Sequence, residues 1–269
     1  MYLPSGEKMD REVCISIVSH GHCDLIKQLG VAEKLARRFS VIVKVNTEDP
    51  ELVNYLSEQK IEYIEQFKGL GFGANNNVVF EHYVRINKGK YPKLFIALNP
   101  DVLIEESEII ELVSNMKEYK IKLSSITLYN DETMSRYDHS VRKFPSLTEF
   151  VTSFLGRSNS TVIDIGSLSE PTEVDWAAGS FLAFDGEHYA FLKGFDEGYF
   201  MYCEDIDICY RSFLGGQKLV YLPAVKAIHF AARTNRRIFT KHFRWHLKSV
   251  FRYLMRKNGI LKKVNSRVC

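Results

Sequence analysis

Three carboxylates crowd one short stretch of the chain, Glu204, Asp205 and Asp207, just after the aromatic run Tyr199-Phe-Met-Tyr202. Acidic groups at a helix start are favoured by the helix dipole, and Asp207 stands four residues before Arg211, the spacing of a stabilising ion pair. That pair reads as structural. Glu204 and Asp205 have no such local partner, so a general base and a helix cap stand side by side as readings. A second carboxylate, Asp101, ends the apolar run of Leu94 to Leu98 through Asn99 and Pro100, and proline there blocks further sheet pairing. Asp101 is thereby offered at a sheet rim. A hard cation such as Mg2+ or Mn2+ takes oxygen ligands, often one or two carboxylates beside substrate phosphates. An ordinary Asn-Pro-Asp turn is the other reading.

Three further groups could complete a site. Gly71-Phe-Gly73-Ala-Asn75-Asn76-Asn77 follows a strand and opens a helix, where glycines allow a ligand close to the backbone; an asparagine-rich helix cap fits equally well. Trp176, before the small-residue turn at Gly179 and Ser180, could be a platform for a sugar ring or a core residue. His229 ends a short strand and taken alone is more often structural than a ligand.

Positioning these groups requires a regular frame. Apolar runs at 13–18, 41–45 and 61–64 alternate with helical patterns at 25–39 and 51–58, a βαβαβ rhythm. Helices over 75–86 and 106–119 and strands over 94–98 and 122–128 continue it. Such an order predicts an α/β fold around an open, mainly parallel sheet, with ligands at the carboxyl ends of strands. Residues 130–172 are expected to form loops and one short helix, with Ser158 to Thr161 as the flexible part of a flap. Beyond them the pattern predicts a strand over 174–184, helices over 187–192 and from Glu204 to Gly215, and two short strands, 218–222 and 225–229.

With 45% hydrophobic residues in 269, a buried core is assured, and no apolar run approaches the roughly 20 residues of a membrane span. The charged start does not read as a secretory signal, and five cysteines without paired spacing argue against a disulfide framework or zinc knuckle and for a cytoplasmic setting. Charge is divided sharply. Residues 1–207 hold 21 Lys+Arg against 33 Asp+Glu, whereas 208–269 hold 15 and none. An acidic body with a basic tail points to an anionic partner. Nucleic acid is disfavoured, because the body repels it and no aromatic-studded sheet face is evident. In the tail, Phe239, Phe243, Leu247, Val250, Phe251 and Leu254 recur at helical spacing beside Lys241, Arg244, Lys248, Arg252 and Arg256. The stripe suits a helix lying on an anionic membrane, or one docked on the body with a solvated basic edge.

The ordered set Ser19-His20-Gly21, Gly71 to Asn77, Leu98 to Asp101, Ser140 to Pro145, Asp175 to Ser180, Gly194 to Glu197, Tyr199 to Asp207, Ile228-His229 and Phe243 to Lys248 resembles family 2 glycosyltransferases of the GT-A fold. It is most similar to bacterial O-antigen rhamnosyltransferases that act on lipid-linked N-acetylglucosamine. The resemblance implies an inverting transferase using a divalent metal, Mg2+ or Mn2+. Asp101 and His229 would hold the metal, Asp205 would be the base and Glu204 its neighbour. Ser19, Asn46, Gly71, Gly73, Asn77, Asn99 and Asp101 would line the donor side; Trp176, Gly179, Ser180 and Arg211 would line the acceptor side. The implied partners are a nucleotide sugar such as dTDP-rhamnose, a lipid-diphosphate-linked sugar and an anionic membrane surface. The implied place is peripheral, at the inner face of a bacterial cell membrane. Residues 1–232 would form the catalytic domain and 233–269 a membrane-association segment. Two positions depart from the family pattern. Asn99 stands where many relatives carry aspartate, which is expected to weaken metal binding, and Val45 precedes Asn46 where an acidic residue often contacts the base. The same fold with a galactofuranose, glucose or N-acetylhexosamine donor, or a non-catalytic anion-binding protein, are the competing readings.

Overall fold

In the computed structural model, which describes residues 10–154, 160–231 and 241–268, the apolar runs form the middle of one sheet. Its strands are β1 (Val13–Ser19), β2 (Ser40–Val45), β3 (Glu62–Ile64), β4 (Leu94–Leu98), β5 (Val102–Leu103), β6 (Leu123–Tyr129), β8 (Thr172–Val174), β10 (Phe181–Asp185) and β11 (Leu219–His229), while β7 (Val141–Arg142) and β9 (Trp176–Ala177) form a separate small pair. The order is β3-β2-β1-β4-β10-β6-β11-β5, with β8 also on β11. β3, β2, β1 and β4 run parallel, as do β6 and β11; β10 is inserted antiparallel between β4 and β6, and β5 and β8 pair antiparallel with β11.

Alternation along each strand feeds two cores. Val13, Ile15 and Ile17 of β1 pack against Ile26, Leu35, Leu52 and Leu112 on one face. Cys14, on the opposite face, shares a core with Val79, Phe80, Tyr189, Ile208 and Tyr253. Burial on both faces explains why these strands read as continuous apolar runs. The result is a three-layer α/β sandwich.

Several elements differ from the sequence expectation for local reasons. The helix expected over 25–39 is two, Cys23–Leu29 and Val31–Ala36, divided at Gly30 with φ +61°. The strand expected over 174–184 is three strands, each with a different partner: β8 on β11, β9 on β7, and β10 between β4 and β6. Conversely, the two strands expected over 218–229 are one, with an irregularity between Leu222 and Lys226 that accommodates Pro223. In the 130–172 segment the expected short helix is Leu147–Phe154, joined by β7 and a turn of 3-10 helix at Ile165–Ser167. Ser158 and Asn159 of the expected flexible stretch lie outside the described residues.

The basic tail forms the helix Lys241–Lys257, docked on the body. Phe239 and the 232/233 boundary lie outside the described residues. Val250, Tyr253 and, further on, Val268 enter the second core. Two members of the expected cationic stripe turn inward: Arg256 pairs with Asp196 at 2.5 Å and also with Asp207, and Arg252 pairs with Asp196 at 2.8 Å. Leu247 and Phe251 remain 45% and 67% exposed, with Arg244 and Lys248 beside them at the surface. Among the described residues no helix is long and apolar enough to cross a membrane.

Candidate functional site

At the carboxyl end of β4 the chain turns sharply, with Val102 N donating to Asn99 O at 3.2 Å, and Asp101 is carried to the rim. Its carbonyl accepts from Phe230 N at 3.0 Å, which brings the end of β11 alongside. His229 Nε2 therefore lies 3.4 Å from Asp101 Oδ1. That oxygen is buried and, among the described residues, has no aligned hydrogen-bond partner. The other ring nitrogen, Nδ1, lies 2.6 Å from Asp138 Oδ2. Burial favours the neutral form of both rim groups, but the facing charges prevail. The His229 pKa is raised to about 9 by Asp101 and Asp138, and the Asp101 carboxyl is held below its ordinary value by the imidazole beside it. His22, after β1, also lies close enough to bear on Asp101 electrostatically.

Glu204 and Asp205 open the helix Glu204–Leu214 behind Tyr202 and Cys203, two non-glycine residues with φ of +72° and +62°. A strained approach of this kind fixes where the helix begins. Asp205 is partly exposed, and its carboxylate accepts from Ile206 N at 2.8 Å and Gly179 N at 3.1 Å. Burial raises its pKa, which strengthens it as a base. Glu204 is buried, with Oε2 lacking a partner among the described residues; burial first and then the Asp205 charge push its pKa to about 8. The carboxylate pair and the Asp101 rim are linked through Gly179-Ser180, because Asn99 N donates to Ser180 O at 3.0 Å. Ser180 Oγ is a further buried atom without a partner. Unsatisfied polar atoms are rare in folded proteins, and among the described residues Asp101 Oδ1, Ser180 Oγ and Glu204 Oε2 make this stretch the candidate binding site.

Other residues expected in the site serve the fold instead. Asn77 is buried and saturated: Oδ1 accepts from Tyr189 Oη at 2.7 Å and Phe195 N at 2.9 Å, and Nδ2 donates to Phe195 O and Glu197. A Cβ on Gly73 would meet Phe195 Cβ at 2.6 Å, and one on Gly71 would meet Phe200 O at 2.1 Å. The glycine-asparagine motif thus lets the helix Phe72–Ile86 seat against 195–200; it is not a phosphate cradle formed by these side chains. Only Asn75 in this motif keeps a buried oxygen without a partner among the described residues. Asn46 closes both its amide groups on Leu70, at 2.9 and 3.0 Å, and Ser19 Oγ accepts from His22 N at 3.2 Å. Both shape the rim through backbone rather than presenting a free side chain. Trp176 is 8% exposed and its indole donates to Lys143 O at 2.8 Å, so it is a packed residue and not a sugar platform. Arg211 is buried on Asp207 at 2.7 Å and donates to Leu192 O and Gly194 O, which removes it from the acceptor side.

Sequence reasoning passed over Asp138 and His22, whose relation to Asp101 and His229 exists only after folding. Arg142, inside the Ser140 to Pro145 motif, bears electrostatically on Asp205 and lies over the Trp176 ring at 5.8 Å. Among the described residues no three metal-ligating side chains converge. Asp101 and His229 nonetheless fit a divalent ion that takes its remaining ligands from a bound diphosphate.

No family model matches the chain. It is 41% identical over 262 residues to the rhamnosyltransferase WbbL of Escherichia coli strain K12, an alignment spanning 95% of this chain and 97% of that protein. It is 31% identical over 166 residues to the N-acetylglucosaminyl-diphospho-decaprenol L-rhamnosyltransferase of Mycobacterium tuberculosis, spanning 59% of this chain and 54% of that one. Among solved structures, the mannosyltransferase PcManGT of Pyrobaculum calidifontis, in complex with GDP-Man and Mn2+, superposes with a TM-score of 0.57 at 13% identity, covering 94% of this chain and 65% of that one. S. aureus TarS 1-349 in complex with UDP-GlcNAc superposes with a TM-score of 0.56 at 11% identity, covering 83% and 61%.

Proposed function

The chain belongs to the rhamnosyltransferase family and has the GT-A glycosyltransferase fold, and on that premise we propose that it transfers rhamnose from dTDP-rhamnose to a lipid-diphosphate-linked N-acetylglucosamine during cell-surface polysaccharide synthesis. The observation that carries this reading is that Asp101 and His229 face each other at a strand-end rim, which Gly179-Ser180 joins to the Asp205 carboxylate. Asp101 and His229 would hold the divalent ion, Mn2+ or Mg2+. When bound, such an ion neutralises charge on the departing nucleoside diphosphate.

Asp205 does the proton chemistry. The acceptor hydroxyl oxygen forms a bond to the anomeric carbon as the bond from that carbon to the diphosphate oxygen breaks, with inversion. The hydroxyl proton passes to the Asp205 carboxylate, which the backbone N–H groups of Ile206 and Gly179 hold in place. Attachment at the inner face of the membrane is supported by the outward Leu247 and Phe251 beside the exposed Arg244 and Lys248, on a helix whose other face is docked.

The test is a panel of nucleotide sugars, each with Mn2+ or Mg2+, offered with lipid-diphosphate N-acetylglucosamine. Rhamnosylated lipid from dTDP-rhamnose is the expected product. Product formation from a galactofuranose, glucose or N-acetylhexosamine donor, with none from dTDP-rhamnose, would replace the donor and keep the reaction class.

A further inference from the structure

Asp138 belongs to none of the sequence motifs, yet its carboxylate meets the His229 ring nitrogen opposite the one that faces Asp101. An imidazole has two ring nitrogens, and here each meets a carboxylate: Nδ1 lies 2.6 Å from Asp138 Oδ2 and Nε2 lies 3.4 Å from Asp101 Oδ1. The short contact is the one away from the rim. A hydrogen bond from Nδ1–H to a carboxylate fixes the ring's orientation, so that a cation displacing the Nε2 proton meets that nitrogen's lone pair.

The loop that delivers Asp138 is itself tied down. Its backbone N donates to Leu128 O at 2.8 Å, and Tyr137 stacks on Tyr129 with ring centroids 5.1 Å apart. At the far end of the turn the Asp131 carboxylate accepts from Ser135 N at 3.2 Å and Arg136 N at 2.8 Å. A carboxylate held this firmly against one imidazole nitrogen is built to aim the other.

We propose that Asp138 is a positioning residue that sets His229 so that Nε2 converges with Asp101 Oδ1 on a divalent cation. The proposal rests on the reading of Asp101 and His229 as the metal pair. An alternative is that Asp138 merely closes the loop onto β11. The two differ in what they do to metal affinity and in whether the effect runs through His229.

The experiment is a Mn2+ titration of the full chain in saturating dTDP, followed by loss of the free Mn2+ paramagnetic resonance signal. It compares wild type, Asp138→Ala, Asp138→Asn, His229→Ala and the double variant Asp138→Ala with His229→Ala. Asp138→Ala is expected to weaken Mn2+ binding about 10- to 100-fold. Asp138→Asn, which keeps an acceptor but not the charge, should fall between it and wild type and covers the case in which the alanine variant does not fold. In the His229→Ala background the Asp138 change should have no further effect. Unchanged Mn2+ affinity in folded Asp138 variants, or a full-sized loss that persists without His229, overturns the proposal. A wild-type chain that binds dTDP but no Mn2+ overturns the metal pair itself, a failure readable apart from the other two.

Discussion

Asp207 and Asp205 stand two residues apart on the same helix and live in opposite surroundings. Asp207 is wholly buried and filled, taking Tyr199 Oη at 3.0 Å, Arg211 Nε at 2.7 Å and the Arg256 guanidinium; Asp196, equally buried, is held by Arg252 and Arg256. Asp205 keeps a partly exposed carboxylate fixed by backbone N–H groups, and Glu204 keeps an oxygen with no partner. Residue type does not separate the two sets. What separates them is whether the acid's lone pairs are consumed inside the protein, because a carboxylate already saturated by guanidinium groups has nothing left to offer a substrate.

The largest effect that tests this contrast is on turnover. Asp205→Asn is expected to lower the rate at saturating donor by about 10^2- to 10^4-fold, the range for removing a positioned general base, while donor affinity and Tm stay near wild type. A rate within a few-fold of wild type would mean that Asp205 is another structural acid.

Arg256→Met should show the reverse profile. It leaves both Asp196 and Asp207 short of a cation, and breaking a buried pair from one side costs about 3–5 kcal/mol. Urea unfolding of the variant measures this directly. A loss below about 1 kcal/mol, the scale of an exposed pair, would show that the interior acids are not the keystone their geometry implies.

Glu204 allows a finer test through pH. Its folded pKa, about 8, lies above the ordinary value of 4.5. Between those values the folded chain keeps a proton that the unfolded chain has released, so this group's contribution to stability is full below about 4.5 and is lost as pH rises towards 8. Glu204→Gln removes the titration. The Tm difference, variant minus wild type, should therefore grow from pH 5 to pH 8. A difference that is flat, or that shrinks with pH, would place Glu204 among the satisfied acids.

These contrasts also show where sequence reasoning reaches. Strands buried on both faces announce themselves by composition, and Leu94–Leu98 is found where its apolar run lies. The rim position of Asp101 follows from Pro100 ending that strand. Asn77 and Gly73 look like ligand contacts in the sequence because their partners, Tyr189 and Phe195, lie more than a hundred residues away and leave no local trace. A separation of 91 residues likewise leaves no local trace of Asp138 beside His229. Trp176 shows a third case, in which a residue type suited to two roles is assigned only by the Lys143 carbonyl that its indole meets.

The smallest expected effect on the folded body concerns its tail. Deleting the tail helix is a poor test of membrane attachment, since it would remove Arg252 and Arg256 from the buried acids as well as any lipid contact. Leu247 and Phe251 are the separable part, because they point outward from a helix already anchored by Val250, Tyr253 and Arg256. Leu247→Glu with Phe251→Glu should leave Tm nearly unchanged, as exposed substitutions usually fall within about 0.5 kcal/mol. Flotation with anionic liposomes should nonetheless fall sharply, since apolar insertion is lost and two negative charges are set against anionic lipid, each basic neighbour being worth about 1 kcal/mol there. Equal flotation of variant and wild type would assign the basic charge of the tail to its inward ion pairs alone, and the membrane contact would have to lie elsewhere on the molecule.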